Sequence, residues 1–172
     1  MLVSPGSLII FLDYDGVLHP DNAYLTRSGP ELRSEGTLFM WAPLLADIIS
    51  MSKLDVRVVL STSWVRHLGY RRAIKYLPRS IQDVVCGSTW HSQMGKDLSV
   101  REWWLNSSRY DQIARYVSRS KSYNWIAIDD DSVGWPAEAR GNLIECHPMT
   151  GLSDELVIQS IKEHLVTGGG CI

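Results

Sequence analysis

"LIIFLDYDGVLHP", residues 8–20, decides how the rest of the chain is read. Leu8 to Leu12 form an apolar run with no polar face, as a central strand covered on both sides requires. Asp13 and Asp15 follow where such a strand leaves its sheet, and Gly16 comes next. Side chains two apart share a face of an extended chain, so the two carboxylates point roughly the same way. Like charges held close together are unfavourable unless something positive lies between them. The stretch therefore predicts a buried strand that ends at a cation site.

Outward from this strand, apolar runs alternate with helical spacing. "HPDNAYLTRSGPELRSEGTLF" (19–39) reads as an irregular loop with room for a short hairpin. Residues 40–52 carry Leu44, Leu45, Ile48 and Ile49 at helical spacing. "DVRVVLSTS" (55–63) predicts a second strand, 70–77 a helix closed by Pro78, and 83–87 a short third strand. The segment 88–108 fits neither period cleanly, and 109–120 predicts a helix with Ile113, Ala114 and Val117 on one face. "NWIAIDDD" (124–131) and "NLIECHP" (142–148) predict strands four and five, and 153–165 a closing helix with Ser153 as its N-cap. Such alternation predicts an α/β fold. The expected form is a Rossmann-like three-layer α/β/α sandwich around a five-stranded, mainly parallel sheet.

The 172 residues are expected to form one domain, 1–172, with a frayed tail at about 167–172. With 45% hydrophobic and 21% charged residues the composition is that of an ordinary globular protein. A net charge of −2 argues against a general nucleic-acid or membrane-surface binder. No apolar run reaches membrane-spanning length and no basic leader precedes the first strand. Cys86, Cys146 and Cys171 form no CxxC pair and are odd in number, so the expected setting is the reducing cytoplasm.

In parallel sheets ligands bind at the carboxyl ends of the strands. Here those ends carry Asp13 and Asp15, then Ser61, Thr62 and Ser63, then Asp129, Asp130 and Asp131. Arg109 opens the helix leading into strand four. Each piece alone has a commonplace use: a DxD as a turn, "STS" as a helix cap, "DDD" as a solvated loop. Their joint placement on one edge is what points to a site.

The combination resembles the haloacid dehalogenase-like superfamily of mostly Mg²⁺-dependent phosphohydrolases, through "FLDYDGVL", "VVLSTS", a cation ahead of strand four, and "WIAIDDD", over about residues 8–165. The resemblance implies Asp13 as nucleophile and Asp15 as general acid and base in phosphomonoester hydrolysis through an aspartyl-phosphate. It implies Thr62 on a phosphoryl oxygen, with Ser61 and Ser63 as fallbacks, and substrate contacts from Gly16 and Ser63. It implies Mg²⁺ held by Asp13, Asp129, Asp130 and the Asp15 carbonyl, an oxygen-only set suited to that ion. Arg109 is the candidate for the cationic role, where lysine is commoner in the family, and Lys96 and Lys121 compete for it. The gaps 19–39 and 79–108 are too short for a large cap domain. An open site implies a bulky phosphorylated substrate, such as a nucleic-acid end, or a small one with a partner's lid, and a nucleotide or polynucleotide phosphatase is favoured.

Two other classes remain. A receiver-type phospho-accepting domain would place its acceptor after strand three, which here ends in "CGST". A catalytically inactive binding module would not need every acidic position filled. His19 reads as structural and Trp64 as a wall or core residue. The segment 56–82 carries Arg57, Arg66, Arg71, Arg72, Lys75 and Arg79 and no acid. A charge run of this kind is usually a solvated face, and beside a phosphate site it is also suited to guiding an anion.

Overall fold

A computed structural model describes residues 6–120 and 124–167. Strand β1 (Leu8–Leu12) is central and wholly buried. Burying each of its large side chains stabilises the fold by roughly 1.5–3 kcal/mol. Parallel to it lie β4 (Val56–Leu60) on one side and β6 (Trp125–Asp129) on the other. Outside these run β5 (Val85–Ser88) and β7 (Leu143–Glu145), giving a five-stranded parallel sheet in the order β5-β4-β1-β6-β7. The chain moves outward from β1 to β5, then returns to the far side of β1. The order thus reverses beside β1, and open α/β sheets bind ligands at such a switch point.

The alternation of β1 supplies both cores. Leu8, Ile10 and Leu12 pack with Leu45 and Ile49 of α1 (Ala42–Met51), Ile81 of α4 (Arg79–Val84), and Ile161 and Leu165 of α7 (Glu155–Thr167). Ile9 and Phe11 face the other way, onto Ile113 of α6 (Arg109–Ser120) and Trp135. Helices on both faces complete the expected α/β/α layering.

The loop after β1 holds a two-stranded hairpin, β2 (Ala23–Thr26) with β3 (Gly29–Leu32). It is the only lid-like element after β1 among the described residues, and there is no large cap.

Several local expectations are corrected. Residues 63–68 form a helix, α2 (Ser63–Leu68), which Gly69 separates from α3 (Tyr70–Ile74). Helix α3 thus ends short of Pro78, and α4 occupies most of the span before β5. The ambiguous stretch resolves into a 3-10 turn, Ser92–Gly95, and α5 (Leu98–Asn106), capped by the Asp97 carboxylate. Ser153 lies in a 3-10 turn, and it is the carboxylate of Asp154 that accepts from Leu156 N–H at 2.8 Å at the start of α7. Most of the tail assigned to 167–172 lies outside the described residues. No described helix is long and apolar enough to cross a membrane.

Candidate active site

Strand register assembles the site. Leu12 pairs with Leu60 and with Ile128, so the next residues, Ser61, Asp13 and Asp129, emerge side by side. Asp13 N–H donates to the Ile128 carbonyl at 3.1 Å and Ser61 N–H to the Leu12 carbonyl at 2.9 Å. Carboxylate oxygens of Asp13, Asp129 and Asp130 lie within 4.8 Å of one another. Asp13 and Asp129 are buried and Asp130 is half-buried.

The acidic triplet divides its labour. Asp129 accepts from Asp131 N–H at 3.0 Å, and Asp131 accepts from Val133 N–H at 2.9 Å as a turn residue. Asp130 turns inward over Gly16. Gly16 has φ +67°, and a Cβ there would collide with the Asp130 carboxylate. Its glycine is thus required both by backbone conformation and by the close approach of a site residue.

Arg109 reaches into the same cluster. Its Nη2 donates to Asp13 Oδ2 at 2.6 Å, and its Nε lies 2.8 Å from Asp129 Oδ2, an ion contact rather than an aligned hydrogen bond. The start of α6 explains its position. Ser108 N–H and Oγ both donate to Asp111 Oδ2, at 3.0 and 2.7 Å, while Asp111 N–H donates back to Ser108 Oγ at 3.1 Å. This reciprocal cap fixes the first helical turn, where Arg109 sits. Of the rivals, Lys96 is exposed beyond the 3-10 turn and Lys121 lies outside the described residues.

Three acids with one guanidinium make an excess of negative charge. Burial raises the Asp13 carboxyl above its usual range, against the opposing pull of Arg109 and with a further push from Asp15. Asp129 is raised well above it, again chiefly by burial. Asp130 is pushed up to about 7 by burial, then by the Asp13 and Asp21 charges. Burial disfavours the Arg109 cation, yet Asp13 and Asp129 more than offset this and hold it protonated. An all-oxygen donor set with unbalanced charge suits a hard divalent cation such as Mg²⁺.

Thr62 is buried at the N-cap of α2 and accepts from Trp64 N–H at 3.4 Å, and its hydroxyl weakly opposes the upward shift of the Asp13 carboxyl. Ser61 is buried without a partner for its hydroxyl among the described residues. Ser63 is exposed and lines two small cavities, one bordered by Asp15 and the other by Arg109 and Asp131.

Asp15 stands apart from the triad and is held by two groups. Trp64 Nε1–H donates to both its oxygens, at 3.0 and 2.9 Å. His19 Nε2 lies 3.1 Å from Oδ1. Phe39 N–H donates to His19 Nδ1 at 3.4 Å, which assigns the ring proton to Nε2 and makes it a donor to Asp15. Both rings pack against Phe39, so the clamp is braced by aromatic contacts. Asp15 also borders a cavity of about 270 Å³ between the hairpin and α2, lined by Tyr24, Leu25, Pro30, Trp64 and Leu68.

Residues 9–157 match the family model described as "HAD domain in Swiss Army Knife RNA repair proteins". The chain belongs to this family. Membership places it among the haloacid dehalogenase-like proteins, which are mostly hydrolases, and agrees with the parallel sheet and absent large cap. No curated protein and no solved structure matches the chain.

The sequence reading names residues that the fold gathers at one edge of the sheet: Asp13, Asp129 and Asp130 with Arg109 against them and Thr62 at the neighbouring strand end, Asp15 being held apart. It passes over the Trp64–Asp15–His19 clamp and the Ser108–Asp111 cap. The cap had a local signal, "SSRYD", serine followed three residues later by an acid.

Proposed function

We propose that the chain is a Mg²⁺-dependent phosphomonoesterase that acts through an aspartyl-phosphate on Asp13 and removes phosphate from the end of an RNA strand. The observation that carries it is the juxtaposition of Asp13, Asp129 and Asp130 with Arg109, beside a separately clamped Asp15. The words "RNA repair" in the family description favour a polynucleotide end over a free metabolite. The reducing cytoplasm suits its free Cys86 and Cys146 thiols.

On this reading an Asp13 oxygen attacks phosphorus, and the bond to the leaving oxygen breaks as Asp15 gives that oxygen its proton. Asp15 then takes a proton from the water that attacks the aspartyl-phosphate, releasing inorganic phosphate and restoring Asp13. Trp64 and His19 hold Asp15 towards the leaving group. Arg109 and Thr62 supply donors to the phosphoryl oxygens, and the guanidinium fork matches two of them. Mg²⁺, held by Asp13, Asp129 and Asp130, would supply the positive charge that lets a phosphate dianion approach so acidic a pocket.

The test is turnover of para-nitrophenyl phosphate and of a 3′- or 5′-phosphorylated oligoribonucleotide, with and without Mg²⁺, by wild type and Asp13→Asn. Sustained metal-dependent turnover lost in Asp13→Asn is expected. A single stoichiometric phosphorylation without turnover would assign a receiver-type switch. No reaction at all would assign a binding module.

A further inference from the structure

The charge run at 56–82 has no part in the chemistry above, and the fold does not scatter it. Arg57 pairs with Asp55 and Arg79 with Asp83, and both are thereby neutralised. Arg66, Arg71, Arg72 and Lys75 are exposed, and no carboxylate pairs with them among the described residues. Helices α2 and α3 thus present a cationic face on a chain whose net charge is −2.

That face is concave. A groove of about 940 Å³ runs along it, lined by Arg66, Arg71, Arg72, Tyr70, Trp90 and His91 among others, with no acid in its wall. Arg66 also lines a cavity of about 240 Å³ together with Ser63, Arg109 and Asp131, so one side chain borders both the groove and the cavity into which the site cation Arg109 opens. At its other side Arg72 is shared with a further cavity that adds Lys75 and Tyr76. Trp90 is buried in the floor, while Tyr70 and Tyr116 in the same wall are half-buried. Cations with accessible rings in one groove are the recognition chemistry of single-stranded nucleic acid, phosphates on the cations and bases on the rings. A small phosphate ester needs neither the length of this groove nor its aromatic walls.

We propose that this groove carries the single-stranded RNA that leads to the reacting phosphate, with Arg66, Arg71 and Arg72 on successive backbone phosphates. The inference rests on the RNA-end reading given above and assigns the surface that reading requires.

The test uses binding of a fluorescein-labelled, unphosphorylated polyuridine strand across a series of salt concentrations, which reads the groove without any turnover. Arg71→Glu/Arg72→Glu is expected to weaken binding about tenfold or more at low salt. It should also make the slope of log K against log salt shallower by about 1.4, since each single-strand phosphate contact contributes about 0.7. The neutral pair Arg71→Gln/Arg72→Gln should move both readings in the same direction without adding acids. Lys162→Glu, on α7 and outside the groove, should leave affinity and slope at wild-type values. Unchanged affinity and slope in both arginine pairs overturn the proposal, as does a wild type that fails to bind the strand. Capture of an acidic phosphopeptide in place of RNA, lost in the arginine pairs, assigns the groove to a protein and likewise overturns it. Turnover of para-nitrophenyl phosphate by the wild type is read alongside. Its absence removes the hydrolase reading and leaves the groove to be judged on binding alone.

Discussion

Replacing Arg109 by methionine keeps a long side chain of similar volume and removes the one cation among the described residues that touches both Asp13 and Asp129, at 2.6 and 2.8 Å. The guanidinium is only 16% exposed and its partners 6% and 1%, so solvent screens this contact little. Removing one partner of a buried ion pair typically costs about 3–5 kcal/mol, because the remaining charge has no compensation. The cost should depend on pH in a defined direction. Asp13 and Asp129 already titrate above the ordinary carboxylate range in the folded protein, and Arg109 is the main influence opposing that rise. Its removal raises them further. Between the ordinary carboxylate pKa and the raised folded values, the folded state holds protons that the unfolded chain has released, so stability falls as pH rises. The gap between wild type and Arg109→Met should therefore widen as pH rises past the raised Asp13 and Asp129 values of the wild type. Urea unfolding in the presence of a chelator at a low and a high pH measures it. A loss below about 1 kcal/mol at the higher pH, the size of an exposed ion pair, would refute the buried-bridge reasoning. A loss that does not change with pH would refute it equally.

Further outcomes follow from the same geometry. Arg109→Met should lower kcat for phosphate release by about 10²–10³, and Arg109→Lys should recover part of it by restoring charge without the fork, as steady-state kinetics will read. Gly16→Ala should cost about 1–2 kcal/mol in backbone strain and displace Asp130, seen as weaker Mg²⁺ binding by calorimetry; unchanged metal affinity would contradict the packing of Asp130 on Gly16. Trp64→Phe keeps the aromatic packing and removes both hydrogen bonds to Asp15, so kcat should fall about tenfold with a stability loss near 1 kcal/mol; wild-type kcat would show the clamp to be idle. In metal-free protein the melting temperature should drop as pH passes through about 7, where Asp130 loses its proton. Mg²⁺ should reverse the drop, and a rise in melting temperature over that interval without metal would count against the carboxylate cluster.

The sheet was legible because its strands are buried on both faces and therefore leave unbroken apolar runs, most clearly Leu8–Leu12 and Trp125–Asp129. The acids were legible because a parallel sheet delivers every strand end to one edge. Arg109 was legible from its place ahead of β6, although its bridge to two acids was not. What escaped is short or tertiary. Helix α2 spans only Ser63–Leu68, too few residues to display a helical period, and its cap is one of the hydroxyls that also read as phosphate ligands. The clamp on Asp15 joins residues 49 apart in sequence, and no local pattern marks a tryptophan whose N–H has a carboxylate to meet. His19 and Trp64 were rightly read as packed residues. Their polar edges, which the sequence does not orient, are what tie that packing to the site.

The proposed reaction on Asp13 would have to reorganise the contacts that its carboxylate makes here. Both oxygens of Asp13 are already engaged, Oδ1 by Tyr14 N–H at 2.7 Å and Oδ2 by Arg109 at 2.6 Å. A carboxylate can accept about four hydrogen bonds, so neither contact by itself blocks attack on phosphorus. The Arg109 contact nevertheless lowers the charge density on Oδ2. On the proposed phosphohydrolase reading, transfer of the guanidinium from Oδ2 to a phosphoryl oxygen would relieve that restraint, and the capped start of α6 would hold the helix while the side chain reorients. Bridging Asp13 and Asp129 and stabilising the proposed transition state would then be successive uses of one cation. This account requires that Arg109→Met lose both stability and kcat, whereas a guanidinium serving only the transition state would lose kcat alone.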